Sequence, residues 1–527
     1  MEKRVIRFPG KIAWSVIFAS LPLLLFMIWF QHPAPLYHSS PFPSSAPNEG
    51  FQNTENSDIN SSAPTAPIEG FQTTENSDID SSAPTAPIEG SQTAENDDID
   101  SCFGRYIYIH RLPRKYNQYL LTNCVIDTCK YLSNYGFGPP IANTKSVLQN
   151  TSWFITSQFA LGVIFHNRMK HYECLTHNSS LASAVYVPFY AGIDLEQLLL
   201  GFNVSTRDSN PKRVVKWLAK QPEWKSLYGA DHFLALGRIS WDFLRSTNHD
   251  LDWGNIFLRL PESRNMTFLS IESSPTNSND FAIPYPTYFH PSSDEQVFEW
   301  QNRMRHQKRE YLFSFAGGQR STMKNSVRSE LVEQCQASSA YCKFLNCSSD
   351  SNCYDPPNVM KLFQSSHFCL QPPGDSYTRK SAFDSIVAGC IPVFFHPGSA
   401  YVQYLWYLPK NYSRYSVFIP DKLVRQKSVS IEKVLLGLSK EEISGMREEV
   451  IRLIPKVIYA DPSSRRESFD DAFDIAVKRV LERIETIRRG IREGKSRKID
   501  FPEEKSWKYY LTGTVQDHEW DSFFQRK

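Results

Sequence analysis

Between Lys11 and Arg105 the chain carries no lysine and no arginine, and no cysteine precedes Cys102. None of the ten cysteines forms a C-x-x-C pair with another. The triplet Asp250-Leu251-Asp252 follows the polar "RSTNH" rather than an apolar strand. Each absence excludes something. Without a C-x-x-C knuckle, the cluster Cys335, Cys342, Cys347 and Cys353 reads as disulfides rather than as a zinc site. Without a strand to present them, Asp250 and Asp252 are discounted as a metal-holding pair. The gap in positive charge is more telling, because of what fills it.

Residues 12–30, "IAWSVIFASLPLLLFMIWF", are 19 positions without a charge. As a helix they span roughly 28 Å, about the thickness of a bilayer core. Lys3, Arg4, Arg7 and Lys11 precede the run and nothing basic follows it until Arg105. That asymmetry predicts a cytosolic tail over 1–11, a signal anchor over 12–30 and the rest across the membrane. A cleaved signal peptide would have a shorter apolar core and an A-x-A site, which is missing. Residues 31–101 contain a 20-residue near-repeat, "GFQNTENSDINSSAPTAPIE" then "GFQTTENSDIDSSAPTAPIE". It is Ser, Thr, Pro and acid with few large apolar residues, so it predicts a disordered stem rather than a solenoid. Residues 1–11 carry +3 and 31–101 carry −12, so the overall +2 leaves +11 on 102–527. A basic body suits an anionic ligand. In an oxidising lumen its cysteines pair. The sequons at Asn60, Asn150, Asn178, Asn203, Asn265, Asn346 and Asn411 fit N-glycosylation.

The 527-residue chain is too long for one core. "RYIYIHRLP" (105–113), "ASAVYVPFY" (182–190), "DHFLALGRISWDF" (231–243) and "MTFLSIESS" (266–274) predict strands, and "WFITSQFALGVIFHNRMKHY" (153–172) predicts a helix. That is a first α/β domain over 102–299. "REYLFSFAGGQRSTMKNSVRSELVEQC" and "AYCKFLNC" predict strand, Gly-Gly loop, helix and strand, opening a second Rossmann-like domain over 300–445. In the tail, 446–527, the stripe Phe469, Phe473, Ala476, Val480, Ile484, Ile487 and Ile491 predicts a long helix with a solvated charged face.

The stretch "FCLQPPGDSYTRKSAFDSIVAGCIPVFF" (368–395) repeats the strand–turn–helix–strand pattern. Gly374 lets backbone approach a ligand, Ser376 or Thr378 can cap the helix, and the helix start favours an anion. Asp375, Arg379 and Lys380 flank the turn, and Asp384 one turn on could take hydroxyls. A diphosphate joined to a ribose fits. The same letters also serve an ordinary capped helix with a solvated Arg-Lys pair. Arg320, after Gly317-Gly318, could reach a phosphate bidentately or sit in a surface loop.

This stretch resembles the nucleotide-binding motif of the exostosin-like glycosyltransferases, family 47. "GRYIYIHRLPRKYN", "VIFHNRMKHYECLTHNSSLASAVYVPFYAG", "DHFLALGRISWDF", "LSIESSP" and "FAIPYPTYFHP" resemble the plant branch of xyloglucan galactosyltransferases. The resemblance covers roughly 102–480. It implies a Golgi type II membrane protein of GT-B fold, two Rossmann-like domains facing a cleft, working on cell-wall xyloglucan. It implies inverting transfer from a UDP-sugar, most simply UDP-galactose, without an obligatory metal or other cofactor. UDP-galacturonic acid or a UDP-pentose would fit the same fold. Donor contacts are expected from Arg320, Gly374, Asp375, Ser376, Thr378, Arg379, Lys380 and Asp384. The expected partners are the UDP-sugar, a polysaccharide acceptor, the Golgi membrane through 12–30 and other glycosyltransferases, with no nucleic acid. Two departures stand out. The branch is expected to hold an acid where this chain has Ser157, and an aromatic where it has Thr276.

Inversion needs a base for the acceptor hydroxyl. His232, Asp242, Glu272 and Asp280 stand beside strand ends and are the candidates; each residue type serves equally in a buried hydrogen-bond network. Trp153, Trp217, Trp224, Trp241 and Trp253 could stack sugars or fill a core. A different class, a lumenal glycan-binding protein on an inactive fold, would share all of this except donor binding.

Overall fold

The computed structural model describes residues 102–142, 146–274, 277–318, 326–348, 353, 355–464 and 466–494. All belong to the larger of two compact units, Asp97–Lys527. The expected cytosolic tail, anchor and stem, together with Asn60, Thr276 and Arg320, lie outside them. Among the described residues no helix is long and apolar enough to cross a membrane.

The unit is built on two five-stranded, all-parallel sheets. The first runs β1 (Tyr106–Ile109), β2 (Ala182–Tyr186), β3 (His232–Ala235), β4 (Thr267–Ser270) and β5 (Asp280–Ala282) in chain order. The second holds β6 (Tyr311–Gly317), β7 (Cys342–Asn346), β8 (Ser366–Gln371), β9 (Ile391–Phe394) and β10 (Val417–Phe418), in the order β10-β9-β8-β6-β7. Their centres are continuous apolar runs, such as Phe313 and Phe315 beside Phe368 and Ile391, as strands covered on both faces require. In the second sheet the chain order reverses between β6 and β8. The loops after their carboxyl ends therefore flank a crevice of the kind that takes ligands in doubly wound sheets.

All ten cysteines are paired, as Cys102–Cys174, Cys124–Cys129, Cys335–Cys342, Cys347–Cys353 and Cys369–Cys390. Cys369–Cys390 ties β8 to the start of β9 within the 368–395 stretch. The helix expected over 153–172 is shorter, Leu161–Lys170. Its would-be first turns are extended instead, because Phe154 pairs with Pro140 and Trp153 with Phe289.

The tail helix, Ala472–Arg492, buries Phe473, Ala476, Val480, Ile484 and Ile487. It returns to the first sheet. Phe473 packs on Phe165, and Asp471 and Asp474 hold Arg168 of the Leu161–Lys170 helix. Its charged face is not simply solvated. Arg483 is half-buried, donates to the Thr267 hydroxyl at 3.2 Å and lies over Phe281. Arg488 donates to the Ala182 carbonyl. Both residues alternate with the apolar stripe on the side where the helix crosses the sheet. Long basic side chains can lie along such a surface when their heads find oxygens.

Candidate active site

The two sheets meet through the loops that leave their carboxyl ends. After β4 the chain reaches Glu272, whose Oε2 accepts the Thr378 N–H at 2.8 Å and the Thr378 hydroxyl at 2.6 Å. Hydrogen bonds from Ser376 and Tyr377 also bear on this carboxyl. Burial raises its pKa, and those donors pull it partly back. With its proton committed to Glu272, the Thr378 hydroxyl accepts from Tyr285 at 3.0 Å. Gln403 closes the same seam, accepting from Ser273 N–H at 2.8 Å and donating to the Ser273 carbonyl at 3.0 Å. The Tyr404 hydroxyl donates to the Ile271 carbonyl.

This changes the expected capping. Arg379 is the N-cap of the helix Lys380–Val387 and no side chain caps it. Thr378 is directed instead to a carboxylate from the other sheet. At the far end Gly389 stops the helix, with φ at +62° and the Arg309 guanidinium where a Cβ would stand.

Gly374 has a different reason to be glycine. A Cβ there would meet Arg379 Nη1 at 2.8 Å and Arg328 Nη2 at 3.1 Å. The turn is thus lined by two guanidinium groups whose nitrogens are no more than 5.9 Å apart. Arg328 enters from the helix Val327–Ala337, across the β6–β8 crevice, and its Nε donates to the Pro373 carbonyl at 3.1 Å. No carboxylate is paired with Arg328 among the described residues. Sequence reasoning passed over Arg328 in favour of Arg320. The signal was present, since "NSVRSEL" puts an arginine at a helix start just beyond a glycine loop.

Lys380 and Asp384 differ from expectation. One helical turn apart, they share the buried face. Lys380 Nζ lies 2.9 Å from each Asp384 oxygen and over the Tyr288 ring. Burial lowers Lys380 to about 8 against the pull of Asp384, and raises Asp384 against the pull of Lys380. Both carboxylate oxygens are therefore engaged by the lysine rather than offered to hydroxyls. Asp375 is exposed at the tip of the turn.

The base candidates fall in separate places. His232, at the amino end of β3, is wholly buried between Asp231 at 2.7 Å and His110 at 3.1 Å. Asp242 accepts from Arg238 Nε and from Trp253 Nε1, both at 2.7 Å. Asp280 is buried at the amino end of β5 and accepts the Ser274 N–H at 2.7 Å, buttressing the loop that carries Glu272. Of the four, Glu272 alone is bonded to the turn at Thr378. At the departure noted above, the Ser157 hydroxyl accepts the Phe159 N–H at 3.2 Å, a turn bond that an aspartate would also make. Asp250 accepts the Val204 N–H at 3.0 Å, and Asp252 accepts from His249 N–H and the Thr247 hydroxyl. Among the described residues no cluster of three or more His, Cys, Asp or Glu is placed to hold a metal.

The model of the exostosin GT47 domain matches residues 101–435, a span containing both sheets and every residue above except the tail helix. The chain belongs to the exostosin GT47 family. Xyloglucan galactosyltransferase MUR3 of Arabidopsis thaliana is 51% identical over 435 residues, 81% of this chain and 70% of that one. A second Arabidopsis protein, named probable xyloglucan galactosyltransferase GT15, is 55% identical over 74% of this chain and 84% of its own. Xyloglucan-specific galacturonosyltransferase 1 is 41% identical over 73% of this chain and 58% of its own. Among solved structures, the pneumococcal O-GlcNAc transferase GtfA with UDP and GlcNAc aligns at 11% identity and a TM-score of 0.24, over 53% of this chain and 59% of that one. That likeness is too loose to bear on the site. Within this GT47 chain, the built cleft is the Glu272–Thr378 seam with the paired arginines beside it.

Proposed function

We propose that the protein moves galactose from UDP-galactose onto xylosyl side chains of xyloglucan, in cell-wall polysaccharide synthesis. The observation that carries this reading is the 51–55% identity to xyloglucan galactosyltransferases across most of the chain. The sheets fit a GT-B enzyme with its cleft between the loops after β4 and β8. The site has what loss of a nucleoside diphosphate requires. Arg328 and Arg379 present forked positive charge to a diphosphate at the one turn where Gly374 admits close approach. That charge stabilises the leaving group as the sugar–oxygen bond breaks. Glu272 holds the turn in shape by binding Thr378. An acceptor hydroxyl entering from the first-sheet side gives its proton to a base on that side as it attacks the anomeric carbon opposite the UDP, so the new bond forms as the bond to UDP breaks and the centre is inverted.

The same reading makes the protein a Golgi type II enzyme anchored by 12–30, with a metal-independent site. The uncharged run and the one-sided basic residues support the topology. In sealed microsomes, protease without detergent should leave 102–527 intact, and digestion of that part would remove this placement. The reaction itself is tested with purified full-length protein, a xylosylated oligosaccharide and a panel of UDP-sugars, read by mass. A hexose increment with UDP-galactose alone supports the proposal. A uronic-acid or pentose increment refutes the donor, and transfer only to another glycan refutes the acceptor.

A further inference from the structure

β8 is apolar and buried through Phe368, Cys369 and Leu370, and then ends on a polar residue. That residue, Gln371, is only 2% exposed, and its backbone pairs with Phe394 of β9. Its side chain reaches the start of the next helix, Lys380–Val387, where the Ser381 hydroxyl donates to Gln371 Oε1 at 2.7 Å. Ser381 is engaged from a second side. Arg379 Nε donates to Ser381 Oγ across a longer 3.4 Å. Arg379 Nη1 is the nitrogen that a Cβ on Gly374 would meet at 2.8 Å. The Nε side of the guanidinium thus faces Ser381 while Nη1 faces the glycine turn. Donors run in series from Arg379 through Ser381 to Gln371, from the tip of a long side chain to a strand of the sheet.

The carboxamide is not fully used in this arrangement. Among the described residues its buried Nε2 has no hydrogen-bond partner. Burying an N–H without a partner costs more than one bond from a serine returns. An apolar side chain of similar length would fill the place without that cost. A buried polar group left partly unsatisfied calls for a reason outside the fold, and here the reason is what Gln371 does to Ser381.

We propose that Gln371 and Ser381 are positioning residues for the donor: Gln371 orients the Ser381 hydroxyl, and Ser381 turns the Arg379 fork so that Nη1 faces the diphosphate at Gly374. This rests on the transferase reading above, which places the diphosphate at that turn. With its proton given to Gln371, Ser381 has only lone pairs left, so it accepts from Arg379 and has no proton to offer a phosphate. A hydroxyl also holds the guanidinium without neutralising it. A carboxylate in its place would pair with Arg379 and take up the charge that UDP needs.

The test is calorimetric titration of purified full-length protein with UDP, with melting temperatures alongside. Ser381→Ala should weaken UDP about tenfold, and Ser381→Thr, which keeps the hydroxyl, should recover most of it. Gln371→Met should weaken UDP similarly while the ligand-free protein melts no lower than the wild type, a split that a merely structural glutamine would not give. The acceptor KM should be unchanged in all three. In an Arg379→Ala background Ser381→Ala should add nothing, because no fork remains to be turned. Wild-type UDP affinity in a folded Ser381→Ala or Gln371→Met protein overturns the proposal, and either variant suffices if the other does not fold. A further loss in the Arg379→Ala background also overturns it, since Ser381 would then meet the donor directly. A wild-type protein that does not bind UDP overturns instead the reading on which the proposal rests.

Discussion

Replacing Arg328 by alanine separates what the paired arginines do for the empty protein from what they do for the bound one. The two guanidinium nitrogens lie no more than 5.9 Å apart across Gly374. At an effective dielectric of about 20, like charges at that distance repel by roughly 3 kcal/mol. Arg328 recovers only part of that through its bond to the Pro373 carbonyl, a hydrogen bond contributing about 1 kcal/mol. Arg328→Ala should therefore leave the ligand-free protein as stable as the wild type, or up to about 2 kcal/mol more stable. That is unusual for truncation of a buried side chain. Against UDP the sign reverses. A diphosphate between the two cations turns repulsion into attraction. Losing one charged hydrogen-bonding partner should then weaken UDP by about 1.5–3 kcal/mol, roughly tenfold to 150-fold. Arg328→Lys, with charge but no fork, should fall between. Calorimetric titration with UDP gives the affinity, and thermal melts with and without UDP give both stabilities. A folded Arg328→Ala protein that binds UDP like the wild type would refute the assignment of the diphosphate to this turn.

Glu272→Gln tests the other half of the seam: it should weaken UDP binding and raise the donor KM by loosening the 376–378 turn. A kcat lower by about a thousandfold with donor affinity intact would instead make Glu272 the base. Transfer should survive EDTA, and complete loss restored by manganese would return Asp250 and Asp252 to the centre. Burial holds His110, His166 and His290 near 3, so their contribution is complete above pH 6.5 and is lost as pH falls from 6.5 toward 3. Asp194, raised to about 6 by burial, takes its proton in the folded state first and opposes that loss. Asp194→Asn should therefore make stability fall more steeply on acidification than in the wild type, by up to about 1.4 kcal/mol per pH unit between about pH 6 and 4. Parallel stability curves for the two proteins over that range would contradict this.

The strand–turn–helix–strand units were legible because each carries a long local pattern. Phe313–Phe315, Phe368–Leu370 and Ile391–Phe394 are apolar runs bounded by glycine turns, and local order is what such patterns report. β5 and β10, three and two residues long, carry too little periodicity to announce themselves. The tail stripe was visible, but its partner was not. That the Ala472–Arg492 helix returns to the first sheet, with Arg483 against Thr267, is a contact across 216 positions that no window reveals.

The site was legible in its letters and hidden in its pairings, and the reason lies in competition for donors. From the sequence, the N–H and hydroxyl groups of 376–378 are the natural phosphate ligands, since nothing nearby in the chain claims them. In the fold Glu272, 106 residues away, claims Thr378. A carboxylate and a phosphate cannot both take the same proton. While Glu272 holds that turn, an incoming diphosphate must draw its hydrogen bonds from elsewhere, and the groups within reach of Gly374 are Arg379 and Arg328. The same logic applies to Asp384, whose oxygens Lys380 already takes. A residue earns a place at an anion site by having charge left over after the fold has satisfied it. By that measure Arg328, which among the described residues meets only a neutral carbonyl, outranks better-looking letters in the motif.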